Sequence, residues 1–245
     1  MKKYISLFII ILIISACKKE KDPVTIPVHF DSTAYVTLGA YDAWGTPKYL
    51  LPSDSISSDM QTFLTGILIE KSDLRPRHPE LLSTTAIADI AITQSSDVFV
   101  TFVSQVTTNS RNAIAFYTYP TTTPPTSPND IKTMVYFFPS AGSGTKLQAG
   151  NKVKLGSFQP GTSIGFVLLK NAWDPTTHTL NNEVVHFCSN DVLNPEVDPN
   201  LKKHAVLINY AAENKTLIGF ENTDRSSDNC DHDFNDIVIY ATVTP

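Results

Sequence analysis

Short runs of apolar residues recur along most of the chain, and Pro, Gly, Asn or Asp separates each run from the next. Runs of this kind, bounded by turn-forming residues, predict β-strands. Many such strands in one chain are typical of a β-sandwich or jelly roll, so the pattern predicts a mainly β fold. The predicted strands are 35–38, 86–93, 98–106, 113–119, 133–138, 153–158, 163–170, 184–187, 204–210, 216–220 and 234–243.

One segment has the periodicity of a helix instead. Its apolar residues between 56 and 67 fall roughly on one face, and Asp54-Ser55 stands where a helix cap is needed. Beyond this helix, two prolines in Arg75–Pro79 exclude regular pairing. We therefore expect residues 31–94 to form a small α+β region packed on a β-sandwich domain of residues 95–245.

The start of the chain predicts its compartment. Two lysines precede the apolar run Ile5–Ile14, which is too short for a membrane-spanning helix of about 20 residues but suits a secretory signal. The next residues complete Ile14-Ser15-Ala16-Cys17, which resembles the lipidation motif of bacterial lipoproteins. An ordinary signal peptide with a chance cysteine is the alternative.

The lipoprotein interpretation divides the first 30 residues in two. Residues 1–16 are expected to be removed as a signal peptide, and residues 17–30 to form a tether lipidated at Cys17. Lys18 stands where retention in the inner membrane usually requires Asp. The resemblance therefore implies a cell-envelope protein that a lipid anchor attaches to the outer membrane, facing the periplasm or the exterior.

Composition and charge exclude some classes of function. A hydrophobic content of 42% excludes wholesale disorder. The full chain has a net charge of −5, and residues 221–245 hold six acidic residues against one arginine. Because this balance repels phosphate backbones, we expect no nucleic-acid partner. Closely spaced carboxylates also repel one another unless a cation neutralises them.

The segment Asp228–Asp236 is the strongest candidate for such a cation site. Oxygen-bearing side chains at alternate positions can converge on one ion while Phe234 turns the opposite way into the core. Ca²⁺ takes six to eight oxygen ligands of this type. The alternative is a polar turn whose side chains bond to their own backbone. The candidate Ca²⁺ ligands are Glu221, Asp228, Asp231, Asp233, Asn235 and Asp236.

The motifs around this loop resemble a bacterial family known as domain of unknown function 4114. The C-terminal match consists of Gly219-Phe220-Glu221-Asn222, Arg225, Ser227-Asp228 and Asp233-Phe234-Asn235-Asp236-Ile237-Val238. Further matches upstream extend the resemblance over roughly 95–245. The resemblance implies a β-rich, calcium-associated module of lipoproteins and large secreted adhesins. The chain departs from the family pattern at two places. Asn222 stands where the family usually has Asp, and Cys230-Asp231-His232 enlarges the loop.

Once Cys17 is lipidated, Cys188 and Cys230 remain. An exported pair of cysteines favours a disulfide. Two free buried thiols are a second alternative. A third is a zinc site in which His186 and His232 join the two cysteines, although this spacing matches no common zinc module.

These observations predict a calcium-binding β-sandwich used for recognition or adhesion, in which the ion is mainly structural. Its partner would be a glycan or a protein of the envelope or host. One alternative is a calcium-dependent carbohydrate-binding module with a stacking face from Tyr117, Tyr119, Trp173 or Trp44, although core packing is the favoured role for these aromatics.

A hydrolase is a weaker alternative. It rests on Gly161–Gly165, which matches the Gly-x-Ser-x-Gly pattern but precedes an apolar run of strand character. We therefore expect no catalytic residues and no enzymatic activity.

Overall fold

The computed structural model describes residues 25–245, so the predicted signal peptide and Cys17 lie outside the described residues. Within the described range, no helix is long and apolar enough to cross a membrane. The strands are β1 Ala34–Thr37, β2 Ile90–Ala91, β3 Ser96–Gln105, β4 Ala113–Pro120, β5 Thr133–Phe138, β6 Lys152–Phe158, β7 Thr162–Leu169, β8 Trp173–Asp174, β9 Thr179–Leu180, β10 His186–Cys188, β11 Ala205–Tyr210, β12 Lys215–Phe220 and β13 Ile237–Thr244. The α-helix is α1, Ser58–Ile67, and 3₁₀ turns cover Pro79–Leu82, Pro128–Asp130, Asp191–Leu193, Pro199–Leu201 and Ala211–Glu213.

Two sheets form the body of the molecule. The six-stranded sheet has the order β1-β5-β4-β7-β10, with β2 added beside β7. The five-stranded sheet has the order β11-β12-β13-β3-β6. All pairings in these sheets are antiparallel except that of β1 with β5. Because one apolar cluster contains side chains from both sheets, the sheets pack face to face, and the prediction of a mainly β fold is confirmed.

Several strands are buried on both faces. In β4, Ile114 and Phe116 belong to the cluster between the sheets, whereas Ala115 and Tyr117 belong to a second cluster on the outer face. A strand covered on both faces needs apolar residues at successive positions rather than at alternate ones. This requirement accounts for the continuous apolar runs in the sequence.

Helix α1 covers the outer face of the five-stranded sheet. Met60 and Leu64 pack there with Leu217 and Tyr240 in a third apolar cluster. The side chain of Ser57 caps the helix by accepting a hydrogen bond from the Met60 amide at 3.1 Å. The cap predicted at Asp54-Ser55 is therefore wrong.

Asp54 has a different role from the one predicted. Its carboxylate accepts hydrogen bonds from Lys152, Thr101 and Tyr240 at 3.0–3.1 Å. The chain before the helix is thus fastened to strands β3, β6 and β13.

The N-terminal part of the described chain adds strands to one sheet and covers the other. Within residues 31–94, β1 and β2 extend the six-stranded sheet, and α1 packs on the other sheet. The predicted strand 86–93 is reduced to β2. The predicted strand 234–243 begins only at Ile237, because Phe234 has a left-handed backbone with φ 59°.

Candidate metal site

The acidic loop, residues 221–236, connects two neighbouring antiparallel strands, β12 and β13. Phe220 and Ile237 are paired in register, so Glu221 and Asp236 leave the sheet side by side. The Asn222 amide donates to Asp236 Oδ2 at 2.7 Å and closes the base of the loop. The strand register therefore brings together two carboxylates that are far apart in sequence.

Phe234 anchors the tip of the loop. His232 and Phe234 both have left-handed backbones, with φ near 58°, and the Phe234 ring is fully buried in the cluster beneath α1. The Arg225 guanidinium lies 5.1 Å from the centroid of that ring. Asp233 and Asn235, on either side of Phe234, line a small polar cavity, as the alternating pattern predicts.

Three carboxylates converge here, and two of them, Asp231 and Asp233, line this cavity. Glu221, Asp231 and Asp233 each offer one oxygen, and these oxygens lie within 4.8 Å of one another. Glu221 and Asp233 are buried, whereas Asp231 is exposed. The cavity has a volume of about 230 Å³, and Asp231 and Asp233 line it together with Glu70, Asn222, Asn235, Asp236 and the segment 106–110.

Burial disfavours the charged forms of these groups. Desolvation, followed by the negative charge of Asp236, raises the pKa of Glu221 well above its usual value. Desolvation also raises the pKa of Asp236, and that of Asp233 to about 6. Hydrogen bonds to Asp233 from the amides of Lys71 at 2.7 Å and Asn235 at 3.1 Å offset only part of this penalty. Like charges in a site of this kind are stabilised by a bound cation.

Two oxygen atoms at the cluster lack hydrogen-bond partners among the described residues. They are Glu221 Oε2 and Asn235 Oδ1, in side chains that are 1% and 7% exposed. The other Glu221 oxygen accepts from the Thr223 amide at 3.0 Å. A buried acceptor without a partner is costly. Since the donor set consists of carboxylate and amide oxygens, the residues present fit a hard cation such as Ca²⁺.

Asp228 lies outside this group of three carboxylates, so the structure does not bring this predicted ligand together with the others. The Ser227 amide donates to Asp224 O at 3.0 Å, and the Cys230 amide donates to Ser227 O at 3.1 Å. These turns carry Asp228 to a separate cavity of about 600 Å³, which Arg75 and Arg225 also line. Proximity in sequence therefore does not by itself place a carboxylate in the cluster.

The two described cysteines are both free, so the predicted disulfide is absent from the structure. Cys188 is buried in the outer cluster of the six-stranded sheet, while the sulfur of Cys230 lies 3.3 Å from His232 Nδ1 in the acidic loop. His186 instead bonds the Tyr35 hydroxyl at 2.8 Å. Because these side chains point into different environments, the four-residue zinc arrangement does not form either.

The residues proposed for a glycan platform or an esterase-like turn have packing roles. Tyr117, Tyr119 and Trp173 are buried, and only Trp44 is exposed, by 58%. Ser163 is a buried residue of β7 that lies 3.0 Å from the Thr121 hydroxyl. The strand after Gly161 replaces the helix that the Gly-x-Ser-x-Gly pattern would need.

Sequence reasoning missed several residues around the site. Glu70 and the segment 106–110 reach the cavity from elsewhere in the chain, and no motif marks them. A buried pair formed by Glu196 and His204 lies behind Glu221, with a separation of 2.6 Å between Glu196 Oε1 and His204 Nε2. Glu196 lies between Pro195 and Val197, and His204 follows Lys202-Lys203, so neither stretch signals that the two residues are paired.

The fold and the site together define a β-sandwich protein with an acidic loop between its last two strands. Residues 158–244 match the model of the family described as Domain of unknown function (DUF4114). This is the family that the sequence motifs resemble, and the matched segment contains the whole acidic loop. The match starts at Phe158, later than the expected residue 95. No curated protein and no solved structure matches the chain.

Proposed function

We propose that this protein is a lipid-anchored envelope protein whose β-sandwich binds one Ca²⁺ ion in the acidic loop and serves recognition or adhesion. The observation that carries the proposal is the convergence of Glu221, Asp231 and Asp233 within 4.8 Å. The unpartnered buried oxygens of Glu221 and Asn235 support it independently. Both features are costly without a cation and favourable with one.

The proposed role of the site is structural. Bound Ca²⁺ would neutralise the converging carboxylates and supply a partner for the two unpartnered oxygens. Glu221 continues β12, and Asp236 O accepts from the Val106 amide at 3.1 Å where β13 begins. Ordering the loop therefore stabilises the pairing of the last strand with both of its neighbours.

Thermal unfolding tests this proposal. We expect millimolar Ca²⁺ to raise the Tm of the purified protein by several degrees relative to excess EDTA, since a ligand that binds only the folded state stabilises it. Mg²⁺ is expected to have a smaller effect, because it prefers a compact octahedral shell and keeps its waters.

Two exposed aspartates of the same loop provide a matched pair of variants. Asp231→Asn removes a negative charge from the cluster, whereas Asp228→Asn removes an equal charge outside it. We expect the first variant to lose most of the Ca²⁺-induced shift and the second to keep it. An unchanged melting curve on adding Ca²⁺ to the wild type, or equal responses of the two variants, would contradict the proposal.

The second part of the proposal concerns the partner that the protein recognises. Recognition or adhesion is supported by the resemblance of the chain to modules of lipoproteins and adhesins, and the family description assigns no function. The carbohydrate-binding alternative is less favoured, because three of its four candidate aromatics are buried. A glycan array in Ca²⁺ and in EDTA separates the two: calcium-dependent glycan binding would favour the alternative.

A further inference from the structure

A buried polar pair lies directly behind the proposed cation site. The side chains of Glu196 and His204 are both 0% exposed, and Glu196 Oε1 lies 2.6 Å from His204 Nε2. The Phe187 ring stacks on the imidazole, with 3.9 Å between centroids and an angle of 12° between planes. Burying such a pair is costly, and replacing it with apolar side chains often stabilises a protein. Its presence therefore points to a task other than stability.

His204 contacts Glu221 at two points. The Glu221 amide donates to His204 O at 2.9 Å, and His204 Nδ1 lies 2.9 Å from Glu221 O. Because a carbonyl oxygen can only accept, Nδ1 carries the hydrogen of the second bond. The main-chain bond continues the β11–β12 ladder by one residue beyond Phe220, and the imidazole adds a second bond to the same residue. The main chain of Glu221 is thus clamped where its side chain enters the cluster.

Arg225 extends the same network to the other side of the loop. Its amide donates to Glu196 Oε1 at 3.4 Å, and its guanidinium donates to Lys203 O at 2.9 Å. Arg225 Nε also donates to His232 Nδ1 at 3.2 Å, next to the ligand Asp233 in sequence. One buried network therefore holds the backbone on both sides of the carboxylate cluster.

We propose that Glu196 and His204 are positioning residues that hold Glu221 in the geometry the cation requires. Glu196 orients the imidazole, the imidazole holds the Glu221 carbonyl, and the Glu221 carboxylate is thereby fixed beside Asp231 and Asp233. The expected effect on cation affinity rests on the proposed function. The hydrogen bonds that hold Glu221 in place do not depend on it. Residues that orient metal ligands in this way typically contribute about 10- to 100-fold to affinity.

Calcium titration of the full protein by calorimetry tests the inference with two variants, Glu196→Gln and His204→Gln. The control is Asp54→Asn, which removes the charge of a carboxylate that bridges Lys152, Thr101 and Tyr240 on the outer face. We expect both test variants to bind Ca²⁺ about tenfold more weakly or worse, and the control to bind like the wild type. Unfolding curves confirm that each variant is folded.

Amide hydrogen exchange in EDTA provides a readout that needs no metal. We expect Glu196→Gln to accelerate exchange at Glu221 and Asn222 in particular, whereas Asp54→Asn leaves these amides as in the wild type. If the wild type binds Ca²⁺ and the test variants bind it equally well, the inference is overturned. If the wild type binds no Ca²⁺, the proposed function fails, and the exchange rates alone decide: selective acceleration supports the clamp, and unchanged rates overturn it.

Discussion

Phe234 shows how a single side chain shapes the acidic loop. Its buried ring and left-handed backbone turn the neighbouring Asp233 and Asn235 toward the cavity. Polar and apolar residues alternate here as they do in a strand, but the backbone forms a loop instead. The result is a set of oxygen atoms that face one another with partial burial.

This burial predicts an unusual pH dependence for the metal-free protein. Folding raises the pKa of Asp233 from 3.8 to about 6, chiefly by desolvation. The folded state therefore binds more protons than the unfolded chain between these values, and stability falls as the pH rises through this window. Protonation of Asp233 contributes about 3 kcal/mol to the free energy of unfolding. This contribution is complete below pH 3.8 and is lost above a pH of about 6.

Urea unfolding in EDTA from pH 4 to pH 7 measures this effect as the difference between the wild type and Asp233→Asn. We expect the variant to gain in stability relative to the wild type as the pH rises. Carboxylates outside the cluster contribute equally to both proteins, so the difference reports on Asp233 and on its repulsion with Asp231 and Asp236. A difference that stays constant across this range would contradict the assignment. In Ca²⁺ at pH 7 we expect the wild type to be the more stable protein, because Asp233→Asn removes one of the carboxylate charges that attract the ion.

At the scale of elements, close packing of the loop on β12 requires glycine at position 219. A Cβ atom there would lie 2.4 Å from Phe234 O and 2.7 Å from Leu68 Cδ1. The loop backbone at Phe234 and the side chain of Leu68, at the end of helix α1, therefore both approach β12 at Gly219. Glycine in this strand permits the approach that places Asp233 at the cavity.

Gly219→Ala is expected to destabilise the protein by about 1–3 kcal/mol, because the backbone of the loop cannot yield without displacing Phe234. The control is Gly66→Ala in α1, where a Cβ would meet nothing within 4 Å. That substitution should stabilise the protein by up to about 1 kcal/mol through helix propensity. Chemical unfolding of both variants checks the prediction. Equal effects would show that the loop does not pack on β12 as described.

The strands buried on both faces were largely predictable, whereas the cap of the helix was not. The apolar runs of β4, β5 and β7 predict those strands to within about a residue, because burial on both faces leaves a continuous signal. The cap of α1 was misplaced because Asp54 satisfies its oxygens with partners from three other strands. Side chains that are distant in the sequence compete for a capping residue, and local patterns do not record that competition.

For the whole molecule, the lipid anchor stays a prediction that can be tested directly. Cells producing the full-length protein with labelled palmitate are expected to label the wild type, and Cys17→Ser is expected to lose the label. Cys230→Ser is the matched control, because its thiol is one of the two free thiols of the sandwich. Label retained in Cys17→Ser would contradict the lipoprotein assignment.

From the sequence alone, the mainly β class, the family resemblance and the core of the acidic site follow. Strand formation depends on local apolar runs, and three of the site residues lie within five positions of one another at 231–235. Contiguous residues share a loop whatever the rest of the fold does. Such features can be inferred without knowing which strands are neighbours.

Tertiary structure adds what depends on distant contacts. It excludes Asp228 from the cluster, separates Cys188 from Cys230, and brings Glu70 to the cavity. It also places Glu196 and His204 behind Glu221. Each of these outcomes follows from strand register and from burial in a particular layer, which arise only when the two sheets pack. Local sequence patterns carry no information on the pairing of strands so far apart, and therefore none on these contacts.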